Sequence, residues 1–286
     1  MKKSYPPTDQ QWLRMVLKQM SHLSKPQAVV LAMWSLAIAM THSCGLSTAT
    51  VFLAEMLEQP ENKITERLRQ WYCGGGTNKG RKRSPINVEQ SFVPLLRWIL
   101  SWWSSQENSL VLAADASTLG QRFTLLVISV VYRGCGIPYA WKIVVATEPG
   151  SWKPHWYGMR SWIECLFKDI KRGGFGWHHT KMNNPERAER LWLAIAVSTL
   201  FLVSVGGQAE AKLSASSLPP INEIQSDVET DESLTPDLTT SRGFNRSPTR
   251  LLSCFRRGFL VILASVIKQM PLPKGGFVPD FSPATG

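Results

Sequence analysis

The sequence predicts an α/β protein: a helical N-terminal domain, then a smaller core in which a short mixed sheet is packed by helices. Two changes of texture carry that reading. Residues 8–104 read as amphipathic and apolar helical stretches punctuated by Pro26 and Pro60. Residues 109–146 then turn β-branched and apolar in three short runs, before helical spacing returns at 157–172 and 185–205.

Taken in order, Thr8 and Gln11 stand at capping-box spacing ahead of WLRMVLKQM, and Pro26 fits the first turn of the next helix. Ser47 is placed to cap STATVFLAEML, and Pro60 separates that helix from NKITERLRQWY. Two short helices across a tight turn fit a helix-turn-helix arrangement, a geometry that helical bundles also contain by chance. The adjoining CGGGTNKGRKRSP carries Lys79, Arg81, Lys82 and Arg83 on a glycine-rich backbone, a composition suited to phosphate contact or to a plain solvated loop.

LVLAADA, RFTLLVISVVYR and IPYAWKIVVA read as three strands, broken at Leu119-Gly120 and Arg133–Gly136, and short turns predict an antiparallel meander. Asp115 is the one acid in that apolar neighbourhood. A buried carboxylate must be compensated, so Asp115 either coordinates a cation or caps a turn through Ser117 and Thr118. Gly173-Gly174 ends the 157–172 helix, and Asn184-Pro185-Glu186 starts a helix whose apolar run stops before Gly206. Residues 208–249 mix acids with Ser, Thr and Pro and read as a disordered linker. Residues 250–286 give a basic start at Arg256-Arg257, a last apolar helix and a tail. The expected domains are therefore 1–105, 106–207, 208–249 and 250–286.

A net charge of +11 over 286 residues implies an anionic partner, by default nucleic acid or a membrane surface. Five cysteines, with no CxxC, fit a reduced interior. His42-Ser43-Cys44 and His178-His179 lack a second pair at zinc spacing. No apolar leader follows Met1, and the longest apolar runs, 28–40 and 191–205, fall short of the ~20 residues a membrane span needs. Neither secretion nor membrane insertion is expected.

Within YGMRSWIECLFKDIKRGG, Tyr157, Arg160, Glu164 and Lys171 fall inside about 60° of one helix face at roughly 100° per residue. A carboxylate ringed by a phenol and two cations matches a metal-binding acid beside groups that hold phosphate oxygens. The spacing Tyr-x2-Arg-x3-Glu-x6-Lys resembles the signature of DDE transposases of the insertion-sequence-four family. The likeness covers most of residues 8–207 and 250–282, with LVLAADASTLG around Asp115 similar to that family's first catalytic strand. It implies an RNase H-like core and Mg²⁺ held by three acids, with water and then a 3′-hydroxyl attacking phosphodiesters. It also implies Asp115 and Glu164 as catalytic metal ligands, and Tyr157, Arg160 and Lys171 as phosphate holders. The implied partner is double-stranded DNA at transposon end repeats, bound by a homodimer or by a heterodimer with an intact transposase. The implied setting is the bacterial cytoplasm and its nucleoid.

The chain departs from that pattern in one respect. Glu148 is the sole carboxylate between Asp115 and Glu164, and it lies in the turn-like ATEPGSWKP rather than at the end of an apolar strand. The 49-residue separation of Asp115 and Glu164 leaves no room for the later strands, so the core reads as truncated by an internal deletion. A transposase-like protein without strand cleavage, a DNA-binding inhibitor of an intact transposase, and an unproductive pseudogene product are the resulting readings.

Overall fold

The computed structural model describes residues 7–73, 85–103, 110–146, 175–213 and 252–278. The chain folds as helices around a small three-stranded antiparallel sheet, an α/β arrangement. Five helices come first: α1 (Pro7–Gln19), α2 (Lys25–Thr41), α3 (Leu46–Leu57), α4 (Glu61–Cys73) and α5 (Phe92–Trp102). The strands β1 (Leu112–Leu119), β2 (Phe123–Tyr132) and β3 (Cys135–Val145) follow, then α6 (Pro185–Ala211) and α7 (Cys254–Ile267).

Local chemistry sets most boundaries. Ser24 and Gln27 form a capping box at α2, with Pro26 in the first turn. The Asn184 side chain accepts from Arg187 N at 2.9 Å and Pro185 occupies the first position of α6. Two expected caps are displaced. The first helix already starts at Pro7, so Thr8 lies inside it, and α3 is capped by Gly45, which puts Ser47 within the first turn. A left-handed Glu58 (φ 49°), Gln59 and Pro60 make the tight turn between α3 and α4.

The strands form a meander in the order β1-β2-β3, and both pairings are antiparallel. Arg133 (φ 48°) and Gly134 (φ 71°) supply the two positive φ values that a two-residue type I′ hairpin requires. Among the described residues every pairing is antiparallel, as the three short-turned runs predict; the mixed sheet expected of the core as a whole finds no parallel pairing among them. On β3, Pro138 pairs with Ser129 and Ala140 with Ile128, leaving Tyr139 as the extra residue of a bulge, where a proline without an N–H is tolerated.

Helix α6 is the axis of the core. Leu191 through Val197 and Leu200 through Val203 are buried, and one continuous cluster joins Trp12, Trp98, Val127, Trp192 and Leu272. That cluster includes residues on both sides of position 105. By length and mean hydropathy α6 could cross a membrane, yet 94% of its apolar window is buried in the fold. Its surroundings therefore account for its composition. Lys25–Thr41 and Leu46–Leu57 are bent by 102° relative to each other.

The expected stop before Gly206 does not occur: α6 continues through Gly206-Gly207 to Ala211. The expected linker therefore does not begin at 208, because residues 208–211 are helical and Glu210 is engaged by Arg133 and Cys254. Glycine reads as a helix stop in sequence, but here it is the residue that lets α7 approach. A Cβ on Gly206 would lie 1.7 Å from the Cys254 carbonyl oxygen.

Candidate functional site

Asp115 is the one expected metal ligand within the described residues. It pairs with Val127, and Val127 with Trp141, so the three occupy one row and face the same side of the sheet. Trp141 fixes that side as the one covered by α6. Its Nε1 donates to the Glu189 carbonyl at 3.2 Å, and its ring lies 6.4 Å from that of Trp192. Asp115 thus sits on the helix-facing side but on an outer strand of the described sheet, which leaves it half-buried.

The turn that Asp115 was alternatively expected to cap does not fall at Ser117 and Thr118. Its strand continues to Leu119, with Ser117 and Thr118 paired to Leu125 and Thr124 inside the ladder. Asp115 Oδ1 accepts from the adjacent Ala116 N at 2.6 Å. A hard divalent cation takes six or more oxygen ligands. Among the described residues no group of three or more His, Cys, Asp or Glu comes together to hold a metal. One half-buried carboxylate by itself falls short of such a shell. Tyr157, Arg160, Glu164, Lys171 and the substitute Glu148 lie outside the described residues.

The opposite margin of the sheet is closed by α6. Glu189 Oε1 accepts from Ile143 N at 3.1 Å and lies 3.6 Å from Lys142 Nζ, which also reaches Glu89 at 3.3 Å. A carboxylate that takes an outward N–H of β3 blunts that edge against pairing with another strand. The Lys142 ammonium is held above the usual lysine range: burial acts against it, and the Glu189 and Glu89 carboxylates outweigh burial.

The basic residues Lys79, Arg81, Lys82 and Arg83 also lie outside the described residues, but the chain on both sides of them is described. Arg190, buried in α6, donates to the Tyr72 carbonyl at 2.7 Å and to the Ile86 carbonyl at 3.4 Å. Its second amino group meets Glu186 at 3.2 Å. One guanidinium therefore fastens the end of α4 and the start of the following described segment, which bracket the basic stretch in sequence. Sequence reasoning missed this residue. The available signal was an arginine at the head of an otherwise apolar helical run. Helix α4 itself turns Asn62, Lys63, Glu66 and Arg69 outward, while Ile64, Leu68 and Trp71 anchor it inside.

His42 closes α2 in a left-handed conformation (φ 53°), its ring 3.6 Å from that of Phe259. Burial, and then the Arg256 charge, lower it to about 4. Burial pushes the Cys44 thiol up to about 12, which marks it as a structural thiol. Neither the His42–Cys44 pair nor His179 belongs to a metal cluster among the described residues.

Comparison of the chain with protein-family models, with curated proteins and with solved structures finds no match.

Proposed function

We propose that this chain is a DNA-binding protein of the DDE transposase type that has lost strand cleavage. The observation that carries the reading is the position of Asp115. It stands on the first strand of an antiparallel meander, in a row that faces the packed helix, and the same chain carries the Tyr157, Arg160, Glu164 and Lys171 pattern. The first strand of such a core is where the fold would present one acid of a metal-binding set.

Loss of cleavage follows from composition. Glu148 is the only acid between Asp115 and Glu164 in the sequence. Losing a carboxylate from a site for hard cations leaves transition-state charge uncompensated. Binding does not need that acid. The net charge of +11 and the Lys79–Arg83 stretch support contact with phosphates, with the α3–α4 pair shortly before that stretch in the chain. Such a protein could occupy transposon ends, or pair with an intact transposase, in the bacterial nucleoid.

A gel-shift titration across salt tests the binding half of the reading. Affinity of the parent chain for duplex DNA should fall steeply with salt. Joint replacement of Lys79, Arg81, Lys82 and Arg83 by Ala should flatten that slope by up to about four phosphate contacts. A quadruple variant that keeps the parent slope would place the contact elsewhere.

A further inference from the structure

We propose that Cys135 and Cys254 are a redox-responsive pair that closes to a disulfide and staples α7 to the sheet. The two residues come from distant parts of the sequence and meet in the interior. Cys135 is the first residue of β3, directly after the Arg133-Gly134 turn, and Cys254 is the first residue of α7. Both are buried free thiols, exposed 2% and 0%, and their side chains are hydrogen-bonded to each other. Cys254 Sγ also donates to Glu210 Oε2 at 2.9 Å, and Glu210 faces the Arg133 guanidinium at 3.7 Å. The cluster thus joins the hairpin turn, the last turn of α6 and the first turn of α7.

The hydrogen bond to Cys135, burial, and the Glu210 carboxylate together push the Cys254 thiol upward. At rest Cys254 is therefore protonated and slow to react, and its oxidation needs a base at hand. Glu210 supplies one. The oxidant, by class, is a hydroperoxide. In the first step the Cys254 sulphur attacks a peroxide oxygen, forming S–O and breaking O–O. Its proton passes through Glu210 to the departing oxygen, which leaves as water or an alcohol. In the second step the Cys135 sulphur attacks that sulfenic sulphur, forming S–S and breaking S–O, and its proton leaves with the hydroxyl as water. The two sulphurs are oxidised and the peroxide is reduced.

The staple would act where α7 is most dependent on fit. The Cys254 carbonyl is the atom against which Gly206 is packed, so the bond would lock the α6–α7 crossing itself. The bond would close the whole stretch of chain between residues 135 and 254, and a cross-link over so long a stretch stabilises chiefly by restricting the unfolded state.

The test is treatment of the folded full-length chain with hydrogen peroxide, followed by denaturation in an alkylating agent and peptide mapping by mass. The expected product is a cross-linked peptide pair containing Cys135 and Cys254, absent from both C135S and C254S. It should accompany a rise in Tm on the order of 10 °C that dithiothreitol reverses. Recovery of both residues as alkylated thiols overturns the proposal. So does a cross-link that joins either of them to Cys44, Cys73 or Cys165.

Discussion

Gly206 of α6 and Gly258 of α7 face each other at backbone contact. A Cβ built on Gly206 would lie 2.8 Å from Gly258 N, and one on Gly258 would lie 3.0 Å from Gly206 N and 1.8 Å from the Leu202 carbonyl oxygen. The helices meet through main chain rather than side chains, so neither surface can yield locally. Alanine normally favours a helix by about 1 kcal/mol over glycine. Here Gly206→Ala and Gly258→Ala should each destabilise instead, by about 2 kcal/mol or more, because overpacking against backbone outweighs propensity. Denaturant midpoints of the two variants check this, and an increase in either would show that the crossing is looser than described.

Arg190 offers a second test. Its guanidinium serves the Tyr72 and Ile86 carbonyls from inside the core. Arg190→Met keeps much of the apolar stem and removes every donor. The loss should be about 3 kcal/mol, since buried carbonyls are left without partners. If the basic stretch between those carbonyls binds DNA, the variant should also bind more weakly at a temperature where it remains folded. Unchanged stability on thermal melting would remove Arg190 from this role.

His42 predicts a pH dependence with a definite sign. The folded chain holds it neutral down to about 4, while an unfolded histidine takes its proton near the ordinary 6.5. Between those values the unfolded state binds more protons, so stability is fully present above pH 6.5 and falls as pH drops towards 4. The ring is partly reached by solvent, and after screening the effect is on the order of 1 kcal/mol. His42→Asn tolerates the left-handed backbone and cannot titrate in this range. Melting curves at pH 7 and pH 4.5 should show a smaller fall for the variant than for the parent; equal falls would contradict the assignment.

Much of the fold was legible because its signals are local. Asn184-Pro185, Pro26, and the glycine-marked breaks around β2 all act within a few residues, and each produced the expected element. What was illegible depends on partners far away in sequence. Gly206 reads as an end only until α7 is laid across it, and Arg190 has no visible role until Tyr72 and Ile86 are brought to it. At the candidate site, the placement of Asp115 on the first strand could be read from its apolar run. Its partial exposure could not, because that follows from β1 lying at the margin of the described sheet.

The most direct test of the account is cleavage. Purified protein, Mg²⁺ or Mn²⁺, and duplex DNA carrying the repeats that flank the chain's own locus should give a salt-sensitive complex and no strand cleavage. Asp115→Asn and Glu164→Gln should leave that complex unchanged. Strand cleavage by the parent chain that disappears in Glu148→Gln would contradict the central claim, since it would show Glu148 completing the set of acids.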